Sequence, residues 1–111
     1  DDVKDNFTIM KEEPFGPLVP ILTFKNFDEV IERANDNDLG LCSYLYTNSM
    51  DKAHIGSEKL ETGCVAVNTG VVALAEAPFG GIKQTGYGRE GGSGAIKDYL
   101  NVKYTHMGLK I

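Results

Sequence analysis

The fold of this chain follows from one central stretch, LCSYLYT at residues 41–47, which predicts a buried strand. The stretch is apolar on both faces, as expected of a strand that helices cover on each side. On its N-terminal side, Asn26 and Glu29 form a capping pattern, which predicts that a helix begins directly after Asn26. On its C-terminal side, Asn48 or Ser49 can cap a second helix.

Two further strands complete the predicted order of elements. The second helix extends over about residues 50–60, and the strands are LVPILTF at residues 18–24 and CVAVN at residues 64–68. Strands and helices that alternate with short connections form right-handed crossovers, so the three strands are predicted to be parallel. The sequence therefore predicts an α/β fold with a βαβαβ parallel sheet.

The C-terminal quarter is predicted to add one helix and one strand. A helix is expected over about residues 90–100, with Ile96 and Tyr99 on its buried face. Residues 101–108 alternate in polarity, which predicts a terminal strand. No other predicted strand in this chain is its partner. An open edge of this kind suggests pairing with a remote part of a longer chain or with another subunit.

Composition and charge restrict the function classes. The 111 residues carry a formal net charge of −5, which disfavours nucleic acid or an anionic membrane as the main partner. No apolar run approaches the roughly 20 residues that span a bilayer. The two cysteines, Cys42 and Cys64, have no nearby histidine, which predicts reduced thiols in a cytosol-like compartment rather than a zinc site or a disulfide framework.

A stiff turn near the N-terminus, KEEPFGP at residues 11–17, carries the first candidate site residues. Pro14 and Pro17 hold φ at about −65° and favour extended geometry in the residues before them, so the turn can aim the carboxylate of Glu13. Phe15 lies outside any predicted helix or strand, so its ring must pack on neighbouring protein or on a ligand. A rigid surface connector with a core phenylalanine is the alternative interpretation.

A second candidate site lies in the long segment after the third strand, residues 69–88. Ligands of open parallel sheets collect at the carboxyl ends of the strands, and long irregular loops there are usually binding segments. Asn68 and the run PFGGIKQ at residues 78–84 are therefore predicted to lie at a site. The run GYGREG at residues 86–91 matches a dinucleotide fingerprint in spacing alone, because a loop precedes it and no acidic residue follows about 20 residues on.

Several of these motifs resemble those of the NAD(P)-dependent aldehyde dehydrogenases. The resemblance covers essentially the whole chain and is carried, in the family's order and spacing, by EEPFGP (12–17), GCVAVN (63–68), PFGGIKQTG (78–86) and GREG (88–91). It implies the C-terminal part of such an enzyme, with residues 1–100 in the catalytic domain and residues 101–111 as oligomerisation strand and tail. Within the family, the similarity is to succinate-semialdehyde dehydrogenases.

The resemblance also implies roles for individual side chains. Glu13 corresponds to the carboxylate that binds the ribose hydroxyls beside the nicotinamide of NAD or NADP, and Phe15 to the ring that supports that end of the cofactor. Phe79 corresponds to an aromatic wall of the aldehyde pocket, whose substrate-selecting loop is residues 69–77. Ala73 stands where succinate-semialdehyde dehydrogenases carry a serine that holds the substrate carboxylate. Loss of that bond, typically worth about 1.5–3 kcal/mol, favours a larger or more apolar semialdehyde.

No catalytic residue is predicted within the chain. By the resemblance, the nucleophilic cysteine, the general-base glutamate and the oxyanion-stabilising asparagine all lie upstream, so we expect the chain alone to be inactive. Cys42 and Cys64 fall in predicted strands without a neighbour that would lower the pKa of a thiol, so neither is a candidate nucleophile. Arg89 and Glu90 are expected to be structural and to tie the loop to the following helix.

Two hypotheses from different classes follow. The first is a segment of a cytoplasmic aldehyde dehydrogenase whose partners are a small aldehyde, the remainder of the enzyme chain, and further copies in a homodimer or homotetramer, with neither nucleic acid nor membrane involved. The second is a non-catalytic interaction module that kept the fold, lost the chemistry, and pairs with a partner through its terminal strand.

Overall fold

A computed structural model describes residues 3–110 and shows an α/β arrangement of short elements. The helices are α1 (Phe27–Asn35) and α2 (Met50–Lys59), with 3₁₀ helices at Thr8–Met10 and Ala95–Tyr99. The strands are β1 (Leu39–Gly40), β2 (Cys42–Leu45), β3 (Cys64–Val67) and β4 (Ile82–Lys83). None of the helices in this part of the chain has the length and apolar character that crossing a bilayer requires.

The centre of the molecule is a single βαβ unit. Strands β2 and β3 pair in parallel, with Cys42 opposite Cys64, and α2 makes the crossover between them. Gly56 is buried in α2, and a Cβ at this position would meet the side chains of Leu45 and Phe27. The absence of a side chain therefore lets α2 pack closely on β2, and the predicted parallel pairing of these two strands is confirmed.

Both predicted helix starts are confirmed by their caps. The side chain of Asn26 accepts a hydrogen bond from the backbone N–H of Glu29 at 2.9 Å. Ser49, rather than Asn48, caps α2 by accepting from the N–H of Lys52 at 3.3 Å. Each cap satisfies one of the backbone donors that the first turn of a helix leaves free, typically worth about 1 kcal/mol.

The first predicted strand, residues 18–24, is wrong, so the predicted βαβαβ sheet is reduced to one βαβ unit. These residues form neither helix nor strand. Pro17 and Pro20 lack a backbone N–H to donate to a neighbouring strand, and no strand within residues 3–110 pairs with the segment. Apolar, β-branched composition alone cannot supply a partner.

The predicted C-terminal helix is also wrong. In place of a helix over residues 90–100 there is the short 3₁₀ helix Ala95–Tyr99, and Gly91 and Gly92 adopt left-handed φ values of 66° and 62° that prevent regular helix at the predicted start. Residues 101–110 form no strand within the described chain and are exposed, while residue 111 lies outside the described residues. The terminal strand at residues 101–108 is expected to pair with a remote part of a longer chain or with another subunit, so it stays a prediction.

A small antiparallel sheet that the sequence did not predict fixes the long segment after β3. Strand β1 pairs with β4, with Leu39 opposite Lys83 and Gly40 opposite Ile82. The side chain of Lys83 donates to the carbonyls of Asn35 and Asn37 at 2.8 and 3.0 Å. The segment 69–88 is therefore anchored at its C-terminal end to the turn that follows α1.

Close backbone contacts at four glycines, Gly40, Gly63, Gly80 and Gly81, hold the two sheets together, and we call this the glycine junction. A Cβ on Gly63 would clash with the carbonyl oxygen of Gly80, and a Cβ on Gly40 would lie 2.8 Å from the carbonyl oxygen of Glu61. Gly63 also donates its N–H to the Gly40 carbonyl at 3.1 Å. The chain segments pass too close here for any side chain.

Much of the apolar surface is uncovered. The radius of gyration is 19.6 Å, against about 13 Å for a compact chain of this length. The accessible surface is 9526 Å², against about 6000 Å² for a compact protein of this mass. Ile31 and Ala66 are the buried apolar side chains among the described residues, whereas Phe15, Val102 and Leu109 are at least 90% exposed. Surface of this extent is normally covered by further protein.

The glycine junction predicts a large difference between two glycine substitutions. Gly63→Ala forces a methyl group against the backbone oxygen of Gly80, so it should lower the free energy of unfolding by about 1–3 kcal/mol. Gly70→Ala is the control, because nothing lies within 4 Å of its added Cβ. Urea titration followed by far-ultraviolet circular dichroism measures both. Equal unfolding midpoints for the two variants would contradict the close contact.

Candidate functional site

One cavity of about 680 Å³ lies between the N-terminal segment and the face of the two small sheets. Its walls combine residues from distant parts of the sequence, among them Glu13, Pro14, Cys42, Val72, Phe79 and Thr85. Two of the predicted site residues, Glu13 and Phe79, are therefore brought to the same cavity. A carboxylate and an aromatic ring facing one space can bind a ligand that has both hydroxyl donors and an apolar part.

Glu13 reaches the cavity through the stiff N-terminal turn. The 3₁₀ helix Thr8–Met10 precedes it, and the carbonyl of Thr8 accepts hydrogen bonds from the N–H groups of Lys11 and Glu12, both at 2.9 Å. Pro14 then limits the backbone directly after Glu13. The Glu13 side chain is exposed at the cavity, so its carboxylate is accessible to a ligand.

Arg33 ties this N-terminal segment to α1. Its guanidinium donates to the Asp5 carboxylate at 2.8 Å and to the Thr23 carbonyl at 2.9 Å, and it also contacts Glu29 at 3.5 Å. The hydrogen bond with Asp5, together with the charges of Asp5 and Glu29, raises the pKa of Arg33 above its ordinary value. Exposed ion pairs contribute little stability, so the importance of Arg33 is that it joins three segments.

Phe79 is held in place by its own backbone. Its N–H and C=O form a reciprocal pair of hydrogen bonds with Glu90, both 2.7 Å long. Next to this pair, the guanidinium of Arg89 donates to the Gly81 carbonyl at 2.8 Å, and the Arg89 N–H donates to Asp98 in the 3₁₀ helix at 3.1 Å. Arg89 and Glu90 thus make the structural contacts expected of them.

The far side of the same segment is fixed by Thr85 and Lys83. The hydroxyl oxygen of Thr85 accepts a hydrogen bond from the N–H of Gly40 at 2.7 Å. The ammonium of Lys83 lies 2.7 Å from the Glu61 carboxylate, in addition to its bonds to the turn after α1. Phe79 is therefore carried by a segment with contacts on both sides, which suits a residue that shapes a pocket.

Three predicted site residues do not line this cavity, namely Phe15, Ala73 and Asn68. Phe15 is 95% exposed and projects away from the described protein. Ala73 is exposed too, while its neighbour Val72 faces the cavity. Of Glu13, Phe15 and Phe79, the structure thus places Glu13 and Phe79 at this cavity and leaves Phe15 outside it.

Asn68 has a structural role at the end of β3. It adopts a left-handed φ of 55°, which asparagine tolerates better than most residues. Its side-chain amide donates to the carbonyl of Thr47 and accepts from the N–H of the same residue, both at 2.9 Å. Asn68 therefore extends the pairing of β2 and β3 by one step and sets the direction in which the loop 69–77 leaves the sheet.

Neither cysteine has the environment of a nucleophile. Both thiols are free and half-buried. Burial is the larger cause that raises the pKa of the Cys42 thiol, and the neighbouring Cys64 raises it further. The Cys42 thiol therefore stays protonated at neutral pH. The expectation that these residues are not catalytic agrees with this environment.

Sequence reasoning singled out neither Cys42 nor Thr85, and it included Val72 only as part of the predicted substrate-selecting loop at residues 69–77. Their positions depend on how β1 and β2 meet the segment after β3, and periodicity cannot predict that contact. For Thr85 a signal existed, because it lies inside the glycine-rich run PFGGIKQTG at residues 78–86. For Val72 the signal was its place in that loop, and for Cys42 the local sequence contains none that we can identify.

A carboxylate and an aromatic wall at one cavity, beside a glycine-rich loop, are typical of a site that binds a small molecule. The aldehyde dehydrogenase family model matches residues 1–105 of the chain. The chain belongs to the aldehyde dehydrogenase family, whose members are oxidoreductases that act on aldehydes.

Three relatives illustrate the similarity. The chain is 46% identical over 108 residues to the NADP⁺-dependent succinate-semialdehyde dehydrogenase of Escherichia coli, covering 97% of this chain and 22% of that protein. It is 46% identical over 107 residues to the glutarate-semialdehyde dehydrogenase of Pseudomonas aeruginosa, covering 96% and 22%. The NAD⁺ complex of an aldehyde dehydrogenase from Bacillus cereus superposes with a TM-score of 0.89 at 47% identity, covering 92% and 21%. The chain thus spans about a fifth of the length of these relatives.

Proposed function

We propose that this chain supplies one wall of the active site of an NAD(P)-dependent aldehyde dehydrogenase that oxidises a semialdehyde to a carboxylic acid. The observation that carries the proposal is the shared cavity, where Glu13 and Phe79 meet although they are far apart in the sequence. The order of the motifs predicts that the segment belongs to the C-terminal part of the longer enzyme, with the nucleophilic cysteine upstream.

Glu13 is proposed to bind the cofactor. An ionised carboxylate accepts two hydroxyl donors at once, which fits the ribose beside the nicotinamide of NAD or NADP. The exposed position of Glu13 at the cavity fits this role, and the bound cofactor would supply the acceptor for the hydride of the aldehyde. Phe15 is proposed to support the same end of the cofactor and, being uncovered here, is available to contact it.

Phe79 and the loop at residues 69–77 are proposed to form the substrate side of the cavity. The ring of Phe79 provides an apolar wall, and its position is fixed by the paired hydrogen bonds with Glu90. Val72 faces the cavity from the same loop, where its side chain can contact the carbon chain of the substrate. Two of the relatives are named for four- and five-carbon semialdehydes, and we extend that substrate class to this chain.

The uncovered apolar surface supports a role within a larger assembly. Residues such as Val102 and Leu109 are at least 90% exposed, and residues 101–110 have no partner in the described chain. We propose that the remainder of the enzyme chain and further copies in a homodimer or homotetramer cover this surface. The non-catalytic interaction module would use the same surface, so the cofactor experiment below separates the two hypotheses.

Loss of the Glu13 charge is expected to weaken cofactor binding. In the complete protein that carries this chain, Glu13→Gln should raise the dissociation constant of NAD⁺ or NADP⁺ by about 10- to 100-fold, because a charge-assisted hydrogen bond contributes about 1.5–3 kcal/mol. Isothermal titration calorimetry measures the binding.

Glu12→Gln is the matched control, because it removes an adjacent charge from the same turn. An equal effect of both substitutions would contradict the role of Glu13. Absence of any NAD(P)⁺ binding in the unsubstituted protein would favour the interaction module.

Substitution of Ala73 is expected to shift substrate preference. Ala73 lies outside the cavity in this structure, so its proposed role comes from the resemblance, in which a serine here holds the substrate carboxylate. On that proposal Ala73→Ser introduces the missing hydroxyl donor, and kcat/KM for succinate semialdehyde should rise about tenfold or more. An uncharged aldehyde of similar length is the internal control, and its kcat/KM should stay within about twofold. Parallel changes for both aldehydes would show that residue 73 does not face the carboxylate.

A further inference from the structure

The two cysteines of the chain stand opposite each other in the parallel sheet. Cys42 opens β2, Cys64 opens β3, and the register pairs them directly. Residues in register on parallel strands project from the same face of the sheet, and neighbouring strands lie about 4.8 Å apart. Although the two residues are separated by a helix in the sequence, their thiols are side by side in the fold.

This geometry favours a bridged pair of thiols over a direct disulfide. Both cysteines are free, and a disulfide needs both a short Cβ–Cβ distance of about 3.5–4.5 Å and a dihedral angle of about 90°. A single atom that binds both sulfurs accepts a wider range of spacings without moving the strands. The pairing of β2 with β3 continues from the cysteines to Leu45 and Val67, so the sheet resists the movement that a disulfide would require.

The pair is also connected to the cavity. Cys42 forms part of the cavity wall, and the Sγ of Cys64 lies 3.9 Å from the carbonyl oxygen of Gly80 in the glycine junction. Both side chains are half-buried, so a small reagent can reach them through the cavity whereas a bulky one meets the protein first.

We propose that Cys42 and Cys64 form a dithiol site for a soft, thiophilic centre that takes two sulfur ligands, of the chemical class of trivalent arsenic. With phenylarsine oxide, each thiol forms one As–S bond, the two S–H protons leave with the oxide oxygen as water, and the oxidation state of arsenic does not change. No oxidant or reductant is needed. The inference is independent of the proposed enzymatic function.

Protection from alkylation tests the site. The purified protein is incubated with phenylarsine oxide in excess 2-mercaptoethanol, a monothiol that removes the arsenical from single cysteines, and is then alkylated with iodoacetamide. Trypsin cleaves at Lys52 and Lys59 between the two cysteines, so mass spectrometry reports each one separately. We expect Cys42 and Cys64 to be protected together and at the same arsenical concentration.

The matched control moves one thiol to the other face of the sheet. The double variant Cys64→Ser with Val65→Cys keeps two cysteines but should need at least tenfold more arsenical for protection. Equal protection of this variant and the wild type, with unchanged circular dichroism, would overturn the proposal. If the variant does not fold, the wild type is compared with itself in concentrated urea, where protection should weaken at least tenfold, and equal protection there would overturn the proposal as well.

Discussion

The close approach of Gly63 to Gly80 and Gly81 is the contact on which the rest of this structure depends. A side chain at Gly63 would meet backbone oxygen rather than a movable side chain, so the contact exists only because glycine is present. This contact packs the glycine-rich segment after β3 against the turn before β3. The hydrogen bond from the Gly63 N–H to the Gly40 carbonyl joins the residues before β2 to the same point. Three distant stretches of the chain therefore meet at one point, which a strand or helix of any length could not achieve alone.

The site is a consequence of this junction. Phe79 directly precedes the junction glycines, and its backbone pairing with Glu90 orients it toward the cavity wall. On the opposite side, Arg33 attaches the N-terminal segment to α1, and that segment carries Glu13. A carboxylate on a proline-stiffened turn and an aromatic ring on a glycine-rich loop are thereby held across one space, which is the arrangement a rigid scaffold needs to position a cofactor and a substrate.

Local sequence signals correctly predicted the features that depend on residues close together in the chain. Asn26 and Ser49 cap the two helices because side-chain oxygens satisfy free N–H groups within three residues, and β2 and β3 follow from apolar runs joined by one helix. The strand at residues 18–24 could not be predicted correctly, since a strand is defined by its partner and the described chain provides none. The terminal strand at residues 101–108 stays a prediction, because its expected partner lies outside this chain. In the site, Glu13 and Phe79 were identified through motifs, whereas Cys42 depends on tertiary packing that no local pattern encodes.

Phe15 and residues 101–110 are exposed, which fits the proposal that cofactor and further protein cover them in a larger enzyme. The central claim is that the cavity shared by Glu13 and Phe79 faces the nicotinamide end of NAD(P). A crystal structure of the complete enzyme with NAD(P)⁺ bound tests it most directly. We predict that the Glu13 carboxylate lies within hydrogen-bond distance of both hydroxyls of the nicotinamide ribose, with Phe79 on the substrate side of the same space. A cofactor bound with its ribose away from Glu13 would contradict the account.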